Sequence, residues 1–163
     1  HRPVRFWWGT WDGTSRRPEG SLLGAYLGAE MVFPCPSSPT FPGLGYAYNQ
    51  AYLCRGPEGS GPGTFGPLET VALFEVADPA ATAFLADAGQ PAAGGWEPTE
   101  FLWPPSLPRA TLHGRHLGAG HVLWLDGHVS LHRPLVAVHS PLASLGELDS
   151  DGDLRSDELF DLE

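Results

Sequence analysis

Apolar and polar positions alternate most regularly between residues 115 and 133, RHLGAGHVLWLDGHVSLHR. Two runs of strand-forming residues, His121 to Leu125 and His128 to Leu131, flank Asp126-Gly127, a dipeptide that tolerates the two positive φ values of a type I′ turn. The pattern predicts a β-hairpin with a two-residue loop. Leu125 then faces His128, Trp124 faces Val129, Leu123 faces Ser130, Val122 faces Leu131 and His121 faces His132. Trp124, Val129, Val122 and Leu131 share one apolar face, expected to be core. The opposite face, with His121, His128, Ser130 and His132, is expected to lie nearer solvent.

The rest of the chain shows shorter signals. Residues 3 to 11, PVRFWWGTW, read as an aromatic strand with Gly9 as a breaker, its Phe6, Trp7, Trp8 and Trp11 packing in a core. Ser21 is placed to cap a short helix whose apolar stripe is Leu22, Leu23, Tyr26 and Leu27, with Gly28 ending it. Strands are expected over 45 to 53, 71 to 76 and 82 to 86. They are joined by Gly/Pro-rich connections at 34 to 42, 55 to 67 and 89 to 108. Phe101, Leu102 and Trp103, in the last of these, are expected to cover the core or a partner. The sum is an α+β, mostly β class: a small antiparallel sheet with long Gly/Pro-rich loops, one face covered by a helix, in a single domain over 1–163.

Composition agrees with this. Gly 21 and Pro 17 among 163 residues mark a loop-rich chain, while 42% hydrophobic content argues against disorder. No apolar run approaches 18 residues, so no membrane span is expected. The net charge is -10, and residues 147 to 163 hold eight acids against Arg155, which is -7 of it. That distribution leaves no basic footprint for nucleic acid.

Cys35 and Cys54 form an isolated pair, with neither redox nor zinc-finger spacing. A bridge between them would stabilise the fold by roughly 3 kcal/mol and imply an oxidising compartment; the alternative is two reduced thiols. The acidic C-terminal stretch fits a calcium loop over 147–158. With Gly152 at the sixth position, Glu147, Asp149 and Asp151 occupy positions 1, 3 and 5, Asp153 the carbonyl position 7 and Glu158 the bidentate position 12. Ca²⁺ is therefore the expected cofactor, as a stabilising ion, against the alternative of a solvated acidic tail. Six of the seven histidines lie between 113 and 139. His121 and His132, expected opposite one another, would bind Zn²⁺ only if His113 or Asp87 converged with them, and hydrogen-bonded structural histidines are the preferred reading. His116 and Asp126 are expected to fix the hairpin, the carboxylate on local N–H groups and the imidazole on the preceding loop. A hydrolase assembled from Asp87, His116, Asp126 and His128 lacks a nucleophile elbow, a zincin motif or a phosphate loop, so no enzyme activity is expected.

His116, nine intervening residues and Asp126-Gly127 resemble the H-X9-DG segment of bacterial prepilin-like proteins, relatives of type IV pilins and type II secretion pseudopilins. GSLLGAYLG (Gly20 to Gly28), VFPCPSSP (Val32 to Pro39), GYAYNQAYL (Gly45 to Leu53) and TAFLADAG (Thr82 to Gly89) resemble four further segments of that family, in the family's order. The resemblance implies a pilin-like globular domain whose sheet packs on a long N-terminal hydrophobic helix. That helix is expected to have been removed, or to be a separate chain as in two-chain pili. It further implies an extracellular filament subunit, with copies of itself and a hydrophobic pilin helix as partners, and similar Asp-rich calcium loops occur in pseudopilins. The alternative is a calcium-stabilised extracellular binding module or a filament-tip minor pseudopilin, using Trp96, Trp103 and the N-terminal tryptophans as its surface.

Overall fold

The computed structural model describes residues 4–5, 10–11, 16–17, 35–37, 46–55, 69–93, 95–107, 109–135 and 144–162. Its contacts group the chain into two compact units, His1–Leu44 and Gly45–Glu163, where a single domain was expected. In the first unit the strands β1 (Val4–Arg5), β2 (Thr10–Trp11) and β3 (Arg16–Arg17) form an antiparallel meander. The strand expected over 3 to 11 is thus two pieces folded on each other, Val4 opposite Trp11. The helix expected from Ser21, and Trp7 and Trp8, lie outside the described residues.

The second unit is mostly β with one small helix. Its strands are β4 (Tyr46–Tyr48), β5 (Cys54–Arg55), β6 (Glu69–Thr70), β7 (Ala83–Asp87), β8 (Gln90–Ala92), β9 (Gly95–Glu97), β10 (Leu112–His113), β11 (Gly120–Trp124), β12 (Val129–His132) and β13 (Leu145–Gly146). The largest sheet has four antiparallel strands in the order β12-β11-β7-β4. Two expectations are corrected along the way. The strand expected over 45 to 53 ends at Tyr48 and gives way to a helical turn, Gln50–Leu53. In place of a strand over 71 to 76 there is a 3-10 turn, Leu73–Glu75, because the Glu75 carboxylate accepts the Ala72 N–H at 2.8 Å and bends the chain.

The hairpin forms, with its register one residue from the expected one. His121 pairs with Leu131, Val122 with Ser130 and Leu123 with Val129. Trp124 and His128 close the ladder, the Trp124 N–H donating to the His128 carbonyl, and the Gly127 N–H donates back to the Trp124 carbonyl, each at 3.0 Å. The loop is therefore three residues, Leu125 to Gly127, a type I turn followed by one glycine in the left-handed region. Gly127 has φ +94, and Asp126 does not take the positive φ that a type I′ turn demands. A slip of one residue exchanges the faces of the returning strand. Val129 and Leu131 are accordingly exposed, at 57% and 59%, while Ser130 and His132 turn inward with Val122 and Trp124.

One face of the sheet is lined by Ala47, Ala86 and Val122, aligned across three strands. These small side chains let a second layer approach closely. That layer holds Leu102, Leu112, Leu148, Leu159 and Phe160, all buried. Much of the cover thus comes from the C-terminal segment that composition marked as an acidic tail. It is held by backbone: the Ala83 N–H donates to the Leu159 carbonyl at 2.7 Å and the Ala77 N–H to the Leu162 carbonyl at 3.0 Å. Buried Asn49 donates from Nδ2 to the carbonyls of Ala83 and Phe160, both at 3.0 Å. Asp157 adds a further tie, accepting the Tyr52 hydroxyl at 2.6 Å and the Ser106 N–H at 2.8 Å.

No disulfide joins Cys35 to Cys54, where a bridge was one of the two expectations. Cys54 instead sets its Sγ 3.6 Å from the Tyr48 hydroxyl. Burial, with the neighbouring Cys54, pushes the Tyr48 phenol above its ordinary range. Among the described residues no helix is long and apolar enough to cross a membrane.

Candidate functional site

The acidic loop brings together three of its five expected ligands. One carboxylate oxygen each from Asp149, Asp151 and Glu158 lie within 4.8 Å of one another. Asp149 organises the turn: its Oδ1 accepts the N–H groups of Asp151 at 2.9 Å and Gly152 at 2.7 Å, and its Oδ2 accepts that of Leu154 at 2.7 Å. Gly152 has φ +86 and Leu154 φ +55, so the chain reverses tightly around this carboxylate. Glu158 closes the loop by accepting the Ser150 N–H at 2.9 Å. Burial opposes its charge, but the Ser150 bonds hold it below the ordinary glutamate range.

Glu147 and Asp153 are engaged elsewhere. Glu147 pairs through its backbone with Leu135, both N–H···O distances being 2.9 Å, and its side chain is buried. Burial, then the charges of Asp149 and Asp157, push its carboxyl up to about 8. Asp153 turns away to accept the N–H groups of Arg155 at 2.7 Å and Ser156 at 2.9 Å, which lowers its pKa. Of the carboxylates that converge, Glu158 keeps one buried oxygen, Oε2, without a hydrogen-bond partner. Hard oxygen donors around a tight turn suit Ca²⁺.

The H-X9-DG residues occupy two places. Asp126, at the hairpin turn, accepts the His128 N–H at 3.0 Å and stands 2.6 Å from His128 Nδ1. These bonds lower its pKa. His116 sits on the tight turn before β11, where its N–H donates to the Ala119 carbonyl at 2.9 Å and the Ala119 N–H returns to it at 3.1 Å. Its ring reaches back to Asp87 on β7, with Nε2 3.2 Å from Oδ2.

Asp87, which the sequence offers only as a candidate partner of His121, is the centre of the histidine cluster. Fully buried, it is opposite His121 once β7 and β11 pair in the observed register. Its Oδ2 accepts the His121 N–H at 2.8 Å and lies 3.1 Å from His121 Nδ1. Arg115 approaches the other oxygen, Nε to Oδ1 at 3.7 Å, donates from Nη2 to the Ala88 carbonyl, and lies 5.1 Å over the Trp96 ring. Trp96 also packs on His113, ring centroids 4.0 Å apart. Burial, then the Arg115 charge, push the His113 imidazole down to about 4. Gly89 makes room for this, since a Cβ there would meet the Trp96 ring at 2.6 Å. His132, expected opposite His121, instead faces Ser130 Oγ at 3.0 Å, and burial lowers its pKa.

The chain matches no family model, and comparison with curated proteins and with solved structures finds no match.

Proposed function

We propose that this chain is the globular part of a pilin-like or pseudopilin-like subunit, acting extracellularly by assembly rather than catalysis. The observation that supports this is the placement of three segments far apart in sequence. GYAYN supplies β4, TAFLAD supplies β7 and the H-X9-DG segment supplies β11, and these are neighbours in one antiparallel sheet. A hydrophobic helix, from the precursor or a partner chain, forms the filament core, and copies of this chain form its outer surface. Of the tryptophans that a carbohydrate-binding surface would use, Trp103 is buried and Trp96 packs against His113 and Arg115.

Immunogold electron microscopy of the source cells, with antibody against residues 1–163, tests this. Regular labelling along filaments is the expected result. Label restricted to tips or bare envelope would replace it with a minor pseudopilin or binding module, and cytoplasmic label would overturn it. Within the same proposal, Ca²⁺ is held by Asp149, Asp151 and Glu158 and stabilises the fold outside the cell. Chelator should lower the Tm of the wild type, and Asp151→Ala should remove that dependence. Identical melting of the wild type with and without chelator would eliminate the site.

A further inference from the structure

We propose that β12 is a docking edge for a second copy of this chain, the two β12 strands pairing antiparallel about a two-fold axis that passes between their Ser130 residues. The contact is independent of the filament reading and of the calcium loop. An isologous contact closes at two copies, whereas a filament grows through head-to-tail ones. β12 is the outer strand of the four-stranded sheet, and among the described residues nothing pairs with its free side.

The ladder determines which groups that edge offers. The Trp124 N–H donates to the His128 carbonyl, so these two residues form a hydrogen-bonded pair. Antiparallel pairs alternate between bonded and non-bonded. Val129 and Leu131, opposite Leu123 and His121, therefore turn their N–H and C=O groups away from β11. The same two residues carry the exposed apolar side chains of the strand. Free edges are ordinarily blunted by charge, proline or a bulge. Here VSLH holds no acid, lysine, arginine or proline, and its register with β11 runs without a bulge. Outward N–H and C=O groups beside apolar side chains fit another extended strand.

Self-complementarity of charge and register identifies that strand as β12 of a second copy. Val129 pairs with the second copy's Leu131, and Leu131 with its Val129, so every outward N–H and C=O of the strand finds a partner. Any other register of the outward residues sets at least one of them against a residue outside β12. On the side-chain level Val129 then packs beside the second copy's Leu131. It does so on the face that already aligns Leu123, Leu85 and Tyr48 across β11, β7 and β4. That row continues into the second copy, and two sheets become one. Charge agrees with the same register. Arg133, exposed just past β12, comes opposite the second copy's Gly127 and beside its exposed Asp126, once at each end of the pair.

Sedimentation equilibrium of the full chain, from micromolar to millimolar concentration, should show a monomer–dimer equilibrium. Leu131→Lys should weaken it by about tenfold or more, because the two-fold counts each substitution twice. Phe74→Ser, which removes an exposed apolar side chain on the 3-10 turn instead, should leave it unchanged. Amide exchange followed by NMR reads the register. The Val129 and Leu131 amides should slow as the dimer fills, while those of Ser130 and His132, which face β11, are slow throughout. A chain that stays monomeric to millimolar concentration would overturn the pairing, as would a dimer that Leu131→Lys leaves as tight as the wild type. So would a dimer whose Val129 and Leu131 amides still exchange freely, or a monomer in which they are already slow, the edge then being covered within one molecule. The exchange measurement on the wild type carries the test if the variant fails to fold, and filament labelling of cells bears on none of these outcomes.

Discussion

At the scale of single residues, what the structure adds is mostly the identity of partners. His113 was visible as one of a histidine cluster, but its burial against Trp96 depends on β8 and β9 folding over β10, which local patterning does not encode. Its folded-state pKa, down to about 4, lies below the ordinary value of 6.5. The unfolded chain therefore takes up the proton first as pH falls, and stability present above about pH 6.5 drains away toward pH 4. Denaturation of wild type and His113→Gln at pH 7 and pH 4.5, with chelator present, should show a steeper decline for the wild type. Parallel curves would mean that His113 takes up its proton equally in both states. Glu147 slopes the other way, its contribution falling as pH rises from 4.5 toward 8, and it cancels in that comparison because both proteins carry it. Asp87 was visible too, as a possible zinc partner of His121. What hid its role was the identity of the strand it pairs with.

Among the elements, the hairpin shows where sequence patterning succeeds and where it stops. Asp-Gly between two strand-like runs locates the turn under either loop length, since both loops need a glycine in the left-handed region at position 127. They differ in the φ of Asp126, and no pattern of side chains reports that angle. Apolar alternation pointed to the two-residue loop because it gathers Val129 and Leu131 with Trp124. The observed loop leaves those two outside and gives Trp124 Nε1 a half-buried partner, Ser130 Oγ at 2.7 Å. A polar bond for the buried indole outweighs two aliphatic side chains that remain half in water. The register makes a sharp contrast between variants. Leu131→Ser should change stability by less than about 0.5 kcal/mol, whereas Val122→Ala, beneath the second layer, should cost about 1–3 kcal/mol. Urea unfolding monitored by tryptophan fluorescence distinguishes the two registers, because the two-residue loop would make Leu131 at least as costly as Val122.

For the whole molecule, composition had suggested that residues 147 to 163 are either a calcium loop or a solvated tail. Residues 147 to 162 prove to be a wall of the core of the second unit, with Leu148 and Leu159–Phe160 packed on either side of the acidic turn. The apolar signal was present in LFDL, but four residues within a strongly acidic stretch carry little weight until the sheet that receives them is known. Asn49 is the pin between that wall and β7. Asn49→Ala strips a donor from two buried carbonyls, at about 1–3 kcal/mol for each left unpaired. The variant should melt well below the wild type in calorimetry. A Tm within a degree or two would show that the C-terminal segment is held by packing alone.

The bond from Asn49 to Phe160 spans 111 residues. A ribosome adds residues in order, so Asn49 is made long before its acceptor exists. Until Phe160 clears the exit tunnel, the face of Ala47, Ala86 and Val122 has no complete cover. Contacts this distant in sequence also close slowly. The unit should therefore fold late and all at once, and a polypeptide stopped before its closing turn would present that bare sheet to chaperones and proteases.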